Sequence, residues 1–416
     1  MDGRAELRMR DLRGALVAAI EARREELLTY CVNLVEAPSI NPPGDTSGPA
    51  AIVERFLAAG GLNSRSVAKL ASMPNVVTTC EGNWPGPHLV MNVHLDTMEP
   101  GDQGAWSVPV DRATRRDGRL YGVGIGNMKG AVAAMSLAFV ELARHRAEWG
   151  GRLTLAAVAD EVIFGEHGAA YLLEQDPTLV GDGLLCGEGP GGLNLGVGEK
   201  GLLWVDLEAS GDGGHASAVR RDRSAVVRLS RAVLAVDALN GRDVAPPPEL
   251  SGALPAEHAA RRLTANVGLL RAGTVANQIA REASAQVDLR VPPGLALSDL
   301  QRAIVAAVAP FDVRVRHVKG WEANWTDPRA LLPRCVRQAA ERVRGARPDD
   351  VVRLPASDAS RWRARGAQAV CYGPQLPLSV GVDEYAYDRD IVDCAQVYAL
   401  AALDFLEANP EQRTEA

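Results

Sequence analysis

Apolar residues recur at helical spacing from residue 11 to 36 and predict one amphipathic helix. It ends before the turn Pro38-Ser39-Ile40-Asn41-Pro42-Pro43-Gly44, whose prolines cannot continue it. A second helix is expected over about 48–60. Asn75–Thr79 and Leu89–Val93 are short, apolar and rich in β-branched residues, the pattern of buried strands. Met128–Ala143 returns to helical spacing. The apolar run Leu153–Ala159 stops at Asp160-Glu161, and Leu184-Leu185-Cys186 stops at Gly187-Glu188. Strand followed by helix, repeated, predicts an α/β fold with a mostly parallel sheet flanked by helices. Polar groups just past the strand C-termini of such a sheet gather in one crevice. His94, Glu161 and Glu188 all stand at such ends.

The pattern changes near Gly201. Leu202–Ala209, Ala265–Leu270 and Ala283–Arg290 alternate like strands, with helical patterns at Ala225–Leu239 and Leu297–Val308. Asn240–Pro255 reads as a loop. Helices return at Ala330–Arg344 and Ile391–Glu407. The expected organisation is an α/β domain from residues 1–200 and 319–416, with an inserted α+β domain over 201–318.

Bulk properties narrow the function only by exclusion. The 416 residues are 47% hydrophobic and 23% charged, which suits globular domains with their own cores. A net charge of -7 offers no basic footprint for nucleic acid. No run of about twenty apolar residues, as a membrane span needs, is read from the chain. Six scattered cysteines without a C-x-x-C pair suit a reducing cytoplasm.

The candidate chemistry lies in ordered blocks. Val93-His94-Leu95-Asp96-Thr97 is followed by Asp117–Gly122 and by Asn127-Met128-Lys129-Gly130. Asp160-Glu161, Gly187-Glu188-Gly189-Pro190, Lys200-Gly201 and Gly214-His215-Ala216-Ser217 come next. Asn277-Gln278-Ile279, Asp288-Leu289-Arg290, Ser357-Asp358-Ala359 and Asp383-Glu384-Tyr385 complete the series. Together they resemble the M20 metallopeptidase family, which includes acetylornithine deacetylase, succinyl-diaminopimelate desuccinylase, aminoacylase and carboxypeptidase G2-like enzymes.

That resemblance implies a zinc-exopeptidase-like catalytic domain, with the insert as lid and dimerisation domain of a homodimer. It implies two zinc ions that acidify a water for attack on an amide carbonyl. Residue by residue, His94 and Glu188 match ligands of the first zinc, Glu161 the general base, and Asp96 the acid that orients the histidine. His215 matches an oxyanion-stabilising histidine that reaches across the dimer. Asn277 and Arg290 match holders of a substrate carboxylate.

Three ligand positions depart from the pattern. The bridging aspartate is Asn127, the second glutamate is Val162, and the C-terminal histidine is Val380; no histidine follows His317. Valine has no donor, and asparagine offers a neutral oxygen. One carboxylate, Glu188, is left among five ligand positions, so two dications would repel strongly. The expectation is no resident metal, or at most one weakly bound zinc on His94 and Glu188. Asn127 and Glu188 then become candidate contacts to substrate. Glu166 and His167 are candidate substitute ligands.

Three functions follow from this reading. The first is an M20-fold enzyme repurposed from two-zinc hydrolysis, with Glu161 as acid and base on an amino-acid-like or N-acyl substrate. Amide formation or transfer, cyclisation, elimination and isomerisation are its candidate reactions. The second is a metal-dependent N-acyl-amino-acid deacylase or peptidase with one weak zinc. The third is a non-catalytic binding or regulatory homologue.

Overall fold

A computed structural model of the chain describes residues 3–376 and 381–408. The chain divides into two compact units. One comprises residues 1–197, 326–351 and 357–416; the other comprises 198–325 and 352–356.

The first unit is built on a mixed sheet. Its strands run in the order Arg65–Val67, Asn75–Glu81, Arg152–Val158, His88–His94, Gly183–Cys186, Gln368–Cys371 and Leu195–Glu199. The four strands from Arg152–Val158 to Gln368–Cys371 are mutually parallel, and their neighbours on both sides are antiparallel. Both faces of the parallel strands are covered, which is why they read as continuous apolar runs. The expected strands appear; those at 75–79, 89–93 and 184–186 run a residue or two longer, and that at 153–159 is shifted by one residue to Arg152–Val158.

The helix Gly130–Arg144 is buried along its length and packs against Asp388–Leu406. Its neighbourhood differs from the sequence expectation in one respect. Ile125–Arg144 is twenty residues, long and apolar enough by composition to cross a bilayer, yet nearly all of it is buried inside the protein. Small residues such as Ala131, Ala133 and Ala134 make it a core helix. The single helix expected over 11–36 is also corrected. It is two helices, Gly3–Ala22 and Arg24–Val35, broken at Arg23. The Arg23 guanidinium reaches the buried Glu141 on the core helix and Glu26 on the second of the two helices.

The second unit contains a four-stranded antiparallel sheet in the order Thr264–Ala272, Glu282–Val291, Gly201–Ser210, Val313–Trp321. The helices Ala225–Asp237 and Leu297–Val308 supply Leu229, Val236, Leu300 and Ile304 to its core against Leu203, Val205, Leu207 and Leu289. The α/β unit and the separate antiparallel unit match the fold class expected from the sequence.

Candidate active site

The sheet order brings distant residues to one end. The strand His88–His94 lies between Arg152–Val158 and Gly183–Cys186. His94 closes the first, Glu161 follows the second, and Glu188 follows the third. Hydrogen bonds from Leu95 N–H to Val158 O (2.8 Å) and from Gly187 N–H to Asn92 O (2.9 Å) tie these ends together. One donor atom from each of His94, Glu161 and Glu188 lies within 4.8 Å of the others, all three buried.

His94 is held from both sides. Its Nδ1 is 2.9 Å from the Asp96 main-chain oxygen, and its Nε2 is 3.2 Å from Asn127 Oδ1. A main-chain oxygen can only accept, so Nδ1 donates to it. Burial opposes the charged ring, but Glu161, then Asp96 and Glu188, outweigh it and push the imidazole up to about 10. Burial, then the neighbouring Glu188, also raises Glu161 well above the carboxylate range. His94 therefore retains at neutral pH a proton that a free imidazole would largely release.

Asp96 does more than face the ring. Its Oδ1 is 3.5 Å from His94 Nδ1, further than its own main-chain oxygen. The carboxylate accepts the N–H groups of Glu161 (3.1 Å) and Val162 (3.0 Å), and so fixes the loop that carries both. Burial would raise it, but the His94 ring and the Asn41 amide hold it below the usual carboxylate range. Asn41 was read only as a turn residue. Its Nδ2 donates to Asp96 Oδ2 (2.9 Å) and Asp160 Oδ1 (3.0 Å). The proline-bounded turn carries no motif that would reveal this role. The turn is placed by Asn41 N–H to Thr97 O and Thr97 N–H to Ser39 O, each 2.9 Å.

The loop bearing Asn127 is secured by Glu384. Its carboxylate accepts the N–H groups of Gly124 (3.0 Å), Gly126 (2.9 Å) and Asn127 (3.0 Å). Gly124 has φ +79°, and a Cβ there would lie 2.1 Å from Thr97 Cγ2, so only glycine fits. Burial pushes Glu384 up to about 7 against the pull of those N–H groups. Burial also lowers Lys129 to about 7, and its Nζ donates to Ala37 O at 2.8 Å. A further buried carboxyl, Asp358, is raised by burial to about 6; Arg361 and Asn92 lie 3.4 and 3.5 Å from it. Glu384 and Asp358 were visible in the motif series, but spacing gave them no role.

Val162 is half-buried beside Glu161, and Val380 lies outside the described residues. Glu166 and His167 are not in the three-donor group. His167 is tied through its N–H to Asp160 Oδ2 at 3.0 Å. The donor set suits one divalent ion: one imidazole and two carboxylates converge, while Asn127 adds a neutral oxygen.

The remaining candidates belong to the second unit. His215 is exposed, with its Nδ1 2.8 Å from Ser217 Oγ. It is bridged to Gln278, and Ala216 N–H reaches Asn277 O at 3.0 Å, so His215 and Asn277 share one loop junction. Arg290 forms a two-point ion pair with Asp288 at 2.8 and 3.0 Å.

Residues 90–404 match the model of peptidase family M20/M25/M40. Succinyl-diaminopimelate desuccinylase of Xylella fastidiosa (strain 9a5c) is 28% identical over 389 residues, covering 90% of this chain and 97% of that one. The enzyme of the same name from Xanthomonas campestris pv. campestris (strain B100) is 26% identical over 391 residues, with the same coverage. Among solved structures, the di-peptidase Dug1p of Saccharomyces cerevisiae superposes with TM-score 0.75 at 13% identity, over 96% of this chain and 99% of that one. The M20 family metallo-carboxypeptidase Sso-CP2 of Sulfolobus solfataricus gives 0.72 at 18%, over 92% and 98%.

Proposed function

The chain belongs to peptidase family M20/M25/M40, and from that premise we propose that it hydrolyses the amide bond of an N-acyl amino acid or short peptide using one weakly held divalent cation. The observation that carries this reading is the convergence of His94, Glu161 and Glu188 within 4.8 Å at the strand ends. Relatives covering nearly the whole chain are named for removal of an acyl group from an amino acid, which favours hydrolysis over other amide chemistry.

His94 and Glu188 are the residues that would hold the cation, with the Asn127 oxygen beside the ring. A divalent ion there would supply Lewis acidity and an acidified water. Glu161 takes a proton from the attacking water and returns it to the leaving amine nitrogen. Burial, then the neighbouring Glu188, raises its proton affinity above that of an ordinary carboxylate. Asp96 and Asn41 hold the Glu161 loop in place. His215 of a partner copy, together with Asn277 and Arg290, is the proposed contact to the developing oxyanion and the substrate carboxylate.

A second reading draws on one observation: the His94 ring lies between two carboxylates, Asp96 Oδ1 at 3.5 Å from Nδ1 and Glu161 Oε2 at 3.6 Å from Nε2. It makes Glu161 and His94 a metal-independent acid–base pair, as the lost anionic positions suggest. One experiment separates the two. Protein purified without chelator is analysed for metal and assayed on a panel of N-acyl amino acids and dipeptides. The first reading expects up to one equivalent of a divalent ion and turnover that chelator abolishes and zinc restores. Turnover indifferent to chelator would replace it with the second, and two tightly held ions would defeat both.

A further inference from the structure

We propose that Cys186 is a positioning residue for Glu188: its thiol, set between Cys371 and the Glu188 N–H, fixes the backbone from which that carboxylate reaches the His94 cluster. The inference rests on the one-cation reading only for what Glu188 does there. Cys186 and Cys371 end two adjacent parallel strands, Gly183–Cys186 and Gln368–Cys371, and are paired with each other in the register. Both are buried. The two thiols are hydrogen-bonded to each other, and the Cys186 sulfur accepts the Glu188 N–H. Cys371 Sγ is in turn 3.3 Å from Ser357 Oγ, which accepts the Ala359 N–H at 3.3 Å. A run of hydrogen bonds thus leads from the segment bearing Asp358, across the end of the sheet, to Glu188.

The neighbouring glycines show why this bond counts. A Cβ on Gly189 would lie 2.5 Å from Gly373 O, and one on Gly373 would lie 1.9 Å from Gly187 O. Glycine at 187, 189 and 373 lets the two chains pass this closely, but glycine also leaves backbone torsions free. Tyr372 N–H to Cys186 O and Gly187 N–H to Asn92 O, each 2.9 Å, hold the strand end as far as Gly187. The Glu188 N–H is the next donor along the chain, and the Cys186 sulfur takes it. An N–H buried without an acceptor is costly, so this bond sets the direction in which the Glu188 residue leaves the strand. A buried thiol is ordinarily a small core filler. Hydrogen bonds on both sides of Cys186, two residues before a carboxylate of the cluster, distinguish it from a filler such as Cys335 on the helix Leu331–Arg344.

Two measurements test this together. One is zinc affinity, by competition with a chromophoric chelator. The other is hydrogen exchange at the Glu188 amide of the cation-free protein, by mass spectrometry with residue-resolved fragmentation. Cys186→Ala should weaken zinc about tenfold and speed that exchange about tenfold, the effect of one lost hydrogen bond. Cys186→Ser, which keeps both an acceptor and a donor, should restore most of each. Cys335→Ala removes the same group elsewhere in the unit and should leave both within about twofold of wild type. Unchanged exchange in Cys186→Ala, a serine variant no better than the alanine one, or an equal loss in Cys335→Ala would overturn the inference. So would zinc bound by wild type and held as tightly by Cys186→Ala. Wild-type protein that holds no zinc would sink the one-cation reading alone, and the exchange rates would still decide the role of Cys186.

Discussion

At the scale of single residues, His94 carries most of the site's electrostatics. An imidazole whose proton is held to about 10 in the fold, against an ordinary 6.5, stabilises the protein below 6.5 and loses that contribution as pH rises through 10. Comparing cation-free wild type with His94→Gln isolates it, since Lys129 titrates in both proteins. Urea unfolding should show the wild-type advantage shrinking by roughly 5 kcal/mol across that window; a constant difference would contradict it. The same proton competes with a cation for Nε2, so zinc binding should release protons and tighten as pH rises. Asn127→Asp restores a negative donor 3.2 Å from that nitrogen. It should tighten zinc at least about tenfold in competition with a chromophoric chelator. Unchanged affinity would mean that Asn127 does not face the cation.

At the scale of elements, the Asn127 loop hangs on one carboxylate. Glu384→Ala strands three N–H groups in the interior and should cost about 3 kcal/mol in urea unfolding. Glu384→Gln retains an acceptor oxygen and should cost less; equal costs would show that the three bonds matter little. This tether illustrates what the sequence conveyed. His94, Glu161 and Glu188 were legible because each ends an apolar strand run. Asn41 was not, because its partners Asp96 and Asp160 are reached through tertiary structure from a proline turn. The strand Val313–Trp321 was missed because its alternation carries Arg314, Arg316 and Lys319 on a sheet edge and so reads as surface. The strand Leu195–Glu199 was missed because its glycines weaken the β pattern. The break at Arg23 was invisible to periodicity, since apolar spacing continues across it.

At the scale of the molecule, each unit carries its own core, so their stabilities should be separable. Leu300, fully buried in the second unit, offers the test. Leu300→Ala should destabilise that unit by about 2–5 kcal/mol in urea while leaving zinc affinity at His94 and Glu188 unchanged. Lost zinc affinity in the native protein would contradict separability. The parallel strands have a longer consequence. Glu161 and Glu188 lie just beyond strands whose packing does not depend on them. Such a scaffold can exchange the groups at its strand ends one at a time and still fold. The architecture can thus be inherited whole while the residues at its strand ends vary.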